Sequence, residues 1–155
     1  MKNYRFRNVD PNKDREIVIE YNARFGDPET QVVLPRLQTD LLEIFDACIN
    51  GGLKRIVFKW KDELAICVCL CSGGYPGDIV KGKPITIGRL DKDITIYHAG
   101  TAKIADKLVT SGGRVLGVTA LGKNLDAARK TVYDNIKSIN FDGMHYRSDI
   151  GTKYI

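Results

Sequence analysis

Glu20 and Asn22 stand two residues apart after the apolar run Ile17-Val18-Ile19, and Arg24 and Asp27 follow within Arg24-Phe25-Gly26-Asp27-Pro28-Glu29-Thr30-Gln31. Residues two apart on an extended strand project to one face, so a carboxylate and an amide oxygen at this spacing can reach one hard cation. With an arginine and a second carboxylate just beyond it, such a cation would form half of a phosphate-transfer site. The same residues also suit plain structural roles. Glu20 and Asn22 can be polar residues leaving a strand, and Asp27-Pro28-Glu29 can open a helix with Asp27 as cap and Pro28 as first helical residue.

The elements that must position these groups are legible as periodicity. Residues 1–15 are polar, the turn-like Asp10-Pro11-Asn12-Lys13-Asp14 leads into a buried strand over 16–21, and a loop through Gly26 and Pro28 follows. Apolar spacing over 29–50 predicts helix, broken near Pro35 and Thr39-Asp40 and stopped by Gly51-Gly52. Two strands are expected over 55–59 and 63–71, joined tightly around Lys61-Asp62, and 72–77 is turn-forming throughout. Further short strands are predicted over 84–88, 95–99, 107–110 and 114–120. A last helix begins at the N-cap Asn124 and carries the stripe Leu125, Ala128, Val132, Ile136 and Ile139. The fold class is therefore α+β, with a strand-loop-helix unit over 1–60 and a small, mostly antiparallel β module closed by one helix over 61–155.

Composition sets the outer bounds. At 43% hydrophobic and 28% charged residues, 155 residues suffice for a buried core in one or two small domains. No apolar run approaches the roughly 20 residues of a membrane span, and Met1-Lys2-Asn3-Tyr4-Arg5 lacks a signal peptide's apolar core, which points to the cytoplasm. The net charge of +5 is spread without a dense basic tract or an aromatic recognition motif, which argues against nucleic acid and suits a phosphorylated metabolite. Cys67, Cys69 and Cys71 alternate and so share one strand face; without paired Cys-x-x-Cys spacing they read as reduced, buried thiols. His98, at the end of an apolar strand, reads as a hydrogen-bonded structural imidazole.

Several segments together carry a resemblance: residues 19–31 as quoted above, Ser72-Gly73-Gly74-Tyr75-Pro76-Gly77-Asp78, His98-Ala99-Gly100-Thr101, Gly112-Gly113-Arg114-Val115-Leu116-Gly117-Val118-Thr119-Ala120, and Phe141-Asp142-Gly143-Met144. In order and spacing they resemble the C-terminal part of the phosphoribosylamine-glycine ligases, ATP-grasp enzymes of purine synthesis, over residues 17–155. The resemblance implies that residues 1–60 are the end of an ATP-grasp domain. It implies ligation of glycine to 5-phosphoribosylamine through an acyl phosphate made from ATP, with Mg2+ or Mn2+ held by Glu20 and Asn22. It further implies that Asp27 orients the attacking amine, that Arg24 holds anionic oxygen, and that Arg114 takes the ribose 5-phosphate in a guanidinium fork.

The N-terminal α/β domain and the nucleotide-holding lid of such a ligase have no counterpart in these residues, and no G-x-x-x-x-G-K-[ST] loop occurs. The chain is therefore expected to be inactive alone and to pair with a complementary N-terminal fragment or with itself. Two alternatives stay open: a non-catalytic sugar-phosphate-binding or interaction module derived from that ligase, and part of another ATP-grasp carboxylate-amine ligase.

Overall fold

The computed structural model describes residues 24–152; Glu20, Asn22 and the strand expected over 16–21 lie outside the described residues. The fold is α+β. Its centre is a three-stranded antiparallel sheet of β1 (Leu64–Cys71), β6 (Arg114–Gly122) and β3 (Ile94–His98), with β6 in the middle. Two small antiparallel pairs flank it: β4 (Thr101–Ile104) with β5 (Lys107–Thr110), and β2 (Thr86–Ile87) with β7 (Ile139–Asn140).

The central strand is apolar or small at nearly every position because both of its faces are covered. On one face Leu116, Val118 and Ala120 align with Ile66, Val68 and Leu70 of β1 and with Ile94 and Ile96 of β3. Helix α3 (Leu125–Ile136) lays Ala128, Val132 and Ile136 across that face, and Ile85, Ile139 and Phe141 close the core. The N-cap Asn124 accepts from the Ala127 amide at 2.8 Å, as its place before the stripe predicts. The only buried amide side chain among the described residues, Asn135, bonds the Asp91 carboxylate and the Thr131 carbonyl and accepts from the Asp91 amide. This pins the loop before β3 to the helix without leaving a polar group unsatisfied.

Opposite the core face, Ala65, Cys67, Cys69 and Cys71 of β1 align with Leu121, Thr119, Gly117 and Arg114 of β6. The last pairing depends on a β-bulge: the register shifts between Leu70 and Cys71, so Val115 is the extra residue. An unbroken register would set Cys71 against Val115 and turn Arg114 toward the core. The bulge leaves Val115 fully buried and returns Arg114 to the thiol face.

The helical reading of 29–50 holds with its breaks. Helix α1 (Thr30–Val33) runs into a 3-10 turn at Leu34–Arg36 that contains Pro35, and α2 (Leu41–Ile49) starts at Asp40, whose carboxylate accepts from the Leu42 amide. Three expectations fail. Ile139, expected on the stripe of the last helix, lies in β7 beyond that helix's end at Ile136. Asp27 is not a helix cap: Glu29 stands in that position, and Asp27-Pro28-Glu29 form the turn before it. Residues 55–59 form no strand beside β1, whose partner in the sheet is β6. They run instead alongside 36–39, with Gln38 donating to the Lys59 carbonyl at 2.9 Å and Lys61 to the Arg36 carbonyl at 2.8 Å. The apolar side chains of Val57 and Phe58 in this segment are exposed.

Truncating a side chain in the middle of the core tests this layout. Leu70→Ala removes a fully buried side chain and is expected to lower the free energy of urea unfolding by about 2–5 kcal/mol, whereas Lys103→Ala on β4 should stay within about 0.5 kcal/mol. A loss at Leu70 of under about 1 kcal/mol would contradict the assignment of the core.

Candidate functional site

The segment 24–29 is carried over the thiol face by α1, which lies against β1 and β6. A helix of four residues has too few hydrogen bonds to hold itself, so tertiary contacts must fix it. Thr30 donates from both its amide and its hydroxyl to the Gly26 carbonyl, and the Gln31 amide nitrogen donates to an Asp27 carboxylate oxygen at 2.8 Å. Gly117 makes the close approach possible: an added Cβ there would meet Cys67 Sγ at 3.2 Å, Tyr97 Cβ at 3.7 Å and Gln31 Cγ at 4.0 Å.

Arg114 then closes the arrangement from the other side. Its Nη2 lies 3.0 Å from Asp27 Oδ2, and its Nη1 donates to the Asp27 backbone carbonyl at 2.9 Å. Two of the predicted site residues, 87 positions apart in sequence, are thus in direct contact. Arg24 is not part of this contact. It is exposed, and its guanidinium donates to the neighbouring Phe25 carbonyl.

Beyond Arg114 the glycine-rich segments gather at the same end of the sheet. The Ser72 amide donates to the Gly113 carbonyl at 2.8 Å and its hydroxyl to the Gly112 carbonyl at 2.9 Å. The Tyr75 ring lies over Gly113, where a Cβ would meet it at 2.2 Å. Gly100 donates to the Arg114 carbonyl at 2.7 Å and Ser111 to the Gly100 carbonyl at 2.8 Å, so the 98–101 turn is stitched to the strand start. His98 Nδ1 sits 3.2 Å from Thr101 Oγ1, a local hydrogen bond of the structural kind expected for it. Lys83 and Asp142 pair at 2.6 Å, and the lysine holds the carboxyl below the usual carboxylate range.

The three strand cysteines are free and differ in character. Hydrogen bonding to Cys69 and then burial push the Cys67 thiol up, and burial raises Cys71. Cys69 is brought down to about 7, chiefly by the hydrogen bond from Cys67 and further by the Arg114 cation, against burial and the Asp27 charge. Among the described residues no three His, Cys, Asp or Glu side chains converge as a metal site. The candidate ligands Glu20 and Asn22 lie outside those residues; as a donor set, carboxylate plus amide oxygen fits a hard divalent cation.

Sequence reasoning missed the bulge at Val115, the Gln31–Asp27 bond and the stacking of Tyr75 on Gly113. The i,i+4 spacing of Asp27 and Gln31 was the available signal for the second. The bulge had none, since it depends on which strand β6 meets.

Residues 65–153 match the family model described as phosphoribosylglycinamide synthetase, C domain. The chain belongs to this family. It is 48% identical over 142 residues to the phosphoribosylamine--glycine ligase of Caldanaerobacter subterraneus subsp. tengcongensis, a match covering 92% of this chain and 34% of that protein. Against a bifunctional purine biosynthetic protein of Schizosaccharomyces pombe it is 48% identical over 134 residues, 86% of this chain and 17% of the other. The crystal structure of the Thermotoga maritima phosphoribosylamine--glycine ligase superposes with a TM-score of 0.68 at 34% identity, covering 86% of this chain and 33% of that one. The chain therefore spans about a third of the length of the ligases that it matches. No helix among the described residues is long and apolar enough to cross a membrane.

The crossing of 98–101 over 112–114 gives a direct test of how the site is held. A Cβ on Gly100 would lie 2.6 Å from the Arg114 carbonyl oxygen, 2.6 Å from Gly112 Cα and 2.8 Å from Gly112 N, all of them backbone atoms. Gly100→Ala is expected to cost about 1–3 kcal/mol in urea unfolding, because the strand start must move. Unchanged stability would show that the crossing yields easily.

Proposed function

We propose that this chain supplies the C-terminal part of a phosphoribosylamine-glycine ligase, with residues 1–60 completing the ATP-grasp domain and 61–155 forming the ligase's β-rich C-terminal domain. The observation that carries this reading is the Arg114–Asp27 contact, which joins the two segments in which the ligase resemblance is most specific. In the complete reaction the glycine carboxylate oxygen attacks the ATP γ-phosphorus, and ADP leaves. The amine of 5-phosphoribosylamine then attacks the acyl carbon of the acyl phosphate; the carbon-oxygen bond to phosphate breaks, and the amide nitrogen loses a proton.

This chain's residues divide those tasks by chemistry. Arg114 presents a planar fork matched to the ribose 5-phosphate, Asp27 orients the attacking amine, and Gln31 holds the Asp27 carboxylate from behind. Arg24 is exposed on the same loop and is assigned to anionic oxygen of glycine or phosphate. Glu20 and Asn22 would hold Mg2+ or Mn2+, which when bound neutralises charge on the nucleotide phosphates. The cytoplasm is the proposed compartment.

Ligation on this reading requires the α/β and nucleotide-binding regions that the relatives carry and with which these residues do not align. The apolar face of α2 and the segment after it, with Leu42, Phe45, Ile49, Val57 and Phe58 exposed, is the proposed seat for them. Ile49 is 83% exposed, so Ile49→Glu should leave the isolated chain's stability within about 0.5 kcal/mol. The same change should weaken its association with a separately produced complementary region of the ligase, measured by sedimentation. Equal association of both forms would remove α2 from that interface.

Calorimetry with glycinamide ribonucleotide tests the site itself. Arg114→Ala is expected to weaken that binding at least about tenfold, the equivalent of about 1.4 kcal/mol. Undiminished affinity would overturn the phosphate assignment.

A further inference from the structure

At the end of the thiol face away from Arg114 lies a cavity that the ligation does not use. Ala65 of β1 lines it and aligns with Leu121 near the close of β6, whereas Arg114 begins that strand. The cavity measures about 380 Å3, toward the small end of the about 300–1,000 Å3 typical of small-molecule sites. Val32 and Val33 of α1, Trp60, Leu64 of β1 and Leu125 of α3 give it apolar walls, and Arg36 is the one charged residue that lines it.

The Arg36 guanidinium is short of partners. It makes no ion pair among the described residues. Its Nε is buried without an acceptor, and its Nη2 reaches only the Lys61 carbonyl, at 3.5 Å. A cation drawn partly out of water with no counter-charge is costly. Its position is nevertheless fixed: the Lys61 amide donates to the Arg36 carbonyl at 2.8 Å, and Leu37 forms a β-bridge with Trp60. Cation and indole therefore stand on one paired stretch of backbone.

We propose that this cavity binds a monocarboxylate with a small apolar body, either one aromatic ring or a short aliphatic chain. The carboxylate meets the terminal nitrogens of Arg36, and the body packs on Val32, Leu64, Leu125 and the Trp60 indole. A carboxylate carries only acceptors and matches the guanidinium fork. A phosphate dianion would bring a second charge that nothing in the walls meets, and a neutral ligand would leave the cation unpaired. Val32 and Val33 belong to the same four-residue helix as Gln31, which holds the Asp27 carboxylate. An occupant thus touches the element that carries the loop of the Arg114–Asp27 site.

The test uses the native chain with 3-phenylpropionate as probe and needs no ligase turnover, so it is decided separately from the function proposed above. Trp60 is the only tryptophan of the chain, and its emission reports occupancy of the cavity. Phenylpropionate is expected to change that emission saturably and to bind at least about fivefold more tightly than the uncharged 3-phenylpropionamide, with calorimetry giving the same ratio. Arg36→Gln should remove the preference for the acid, Arg36→Lys should keep part of it, and Ala65→Leu, which adds bulk inside the cavity, should weaken both probes alike. Urea midpoints establish that each variant is folded; if Arg36→Gln is not, the comparison of acid and amide on the native chain and the Ala65→Leu variant decide. Equal affinity for acid and amide would make the cavity a plain apolar groove and overturn the proposal, as would a lack of saturable binding by both methods. Release of the probe on adding the complementary region of the ligase would assign the cavity to that partner, with the same consequence.

Discussion

The β-bulge at Val115 is the constraint on which the rest of this structure depends. A strand in strict alternation cannot put Val115 into the core and Arg114 onto the opposite face while also keeping Leu116, Val118 and Ala120 under α3. One additional residue resolves the conflict. It costs a break in the ladder between Leu70 and Cys71, and in return the Arg114 guanidinium reaches Asp27. The residues just before it, Gly112 and Gly113, are tied by the Ser72 amide and hydroxyl, so the strand start has little freedom to slide back into register.

From that constraint follows a division of labour between the two faces of one sheet. The core face is built from branched aliphatic side chains and held by α3, which supplies the apolar burial that any stable domain of this size needs. The other face carries cysteine, threonine and glycine, small groups that bury little area but let α1 and the 24–29 loop come close. Such a face contributes little stability of its own. The Arg114–Asp27 pair is more than a third exposed on both sides, and at about 0.2–1 kcal/mol it cannot hold the fold together. Its value is positional: two hydrogen-bonding contacts from one guanidinium fix both the carboxylate and the backbone of Asp27.

What the sequence disclosed followed from how local each feature is. The helix after Asn124 was legible to its cap because the cap and the stripe from Leu125 to Ile136 are contiguous in sequence, whereas Ile139, expected on the same stripe, belongs to β7. The alternation of Cys67, Cys69 and Cys71 likewise marked one strand face without knowledge of its partner. Residues 55–59 misled because an apolar run reports only that burial would be favourable; they run instead along 36–39, with Val57 and Phe58 exposed. Strand β4 escaped notice because Thr101–Ile104 is too short and mixed to stand out, and it exists only by pairing with β5. The site shows the same pattern. Resemblance identified Arg114 and Asp27 as separate candidates, and their contact could not be read because it is made by the bulge and by a four-residue helix held in place from elsewhere.

That contact also constrains how the proposed chemistry must begin. On the proposed reading, Arg114 already gives one N–H to the Asp27 carboxylate, so a phosphate that takes the whole fork exchanges with that carboxylate. The exchange carries little electrostatic penalty for the arginine, because a dianionic phosphate replaces a single carboxylate at the same fork. For Asp27 the consequence is larger. Its carboxylate keeps only Gln31 as a neutral donor and becomes an acceptor in need of a cationic or N–H partner, the role that an attacking amine fills. On that reading, binding of the sugar phosphate and readiness of the carboxylate toward the amine would be coupled, since one guanidinium serves two anions less well than one. On the proposed reading, such a site would orient the amine when the phosphate at the other end of the same molecule is in place and would discriminate against amines that lack it.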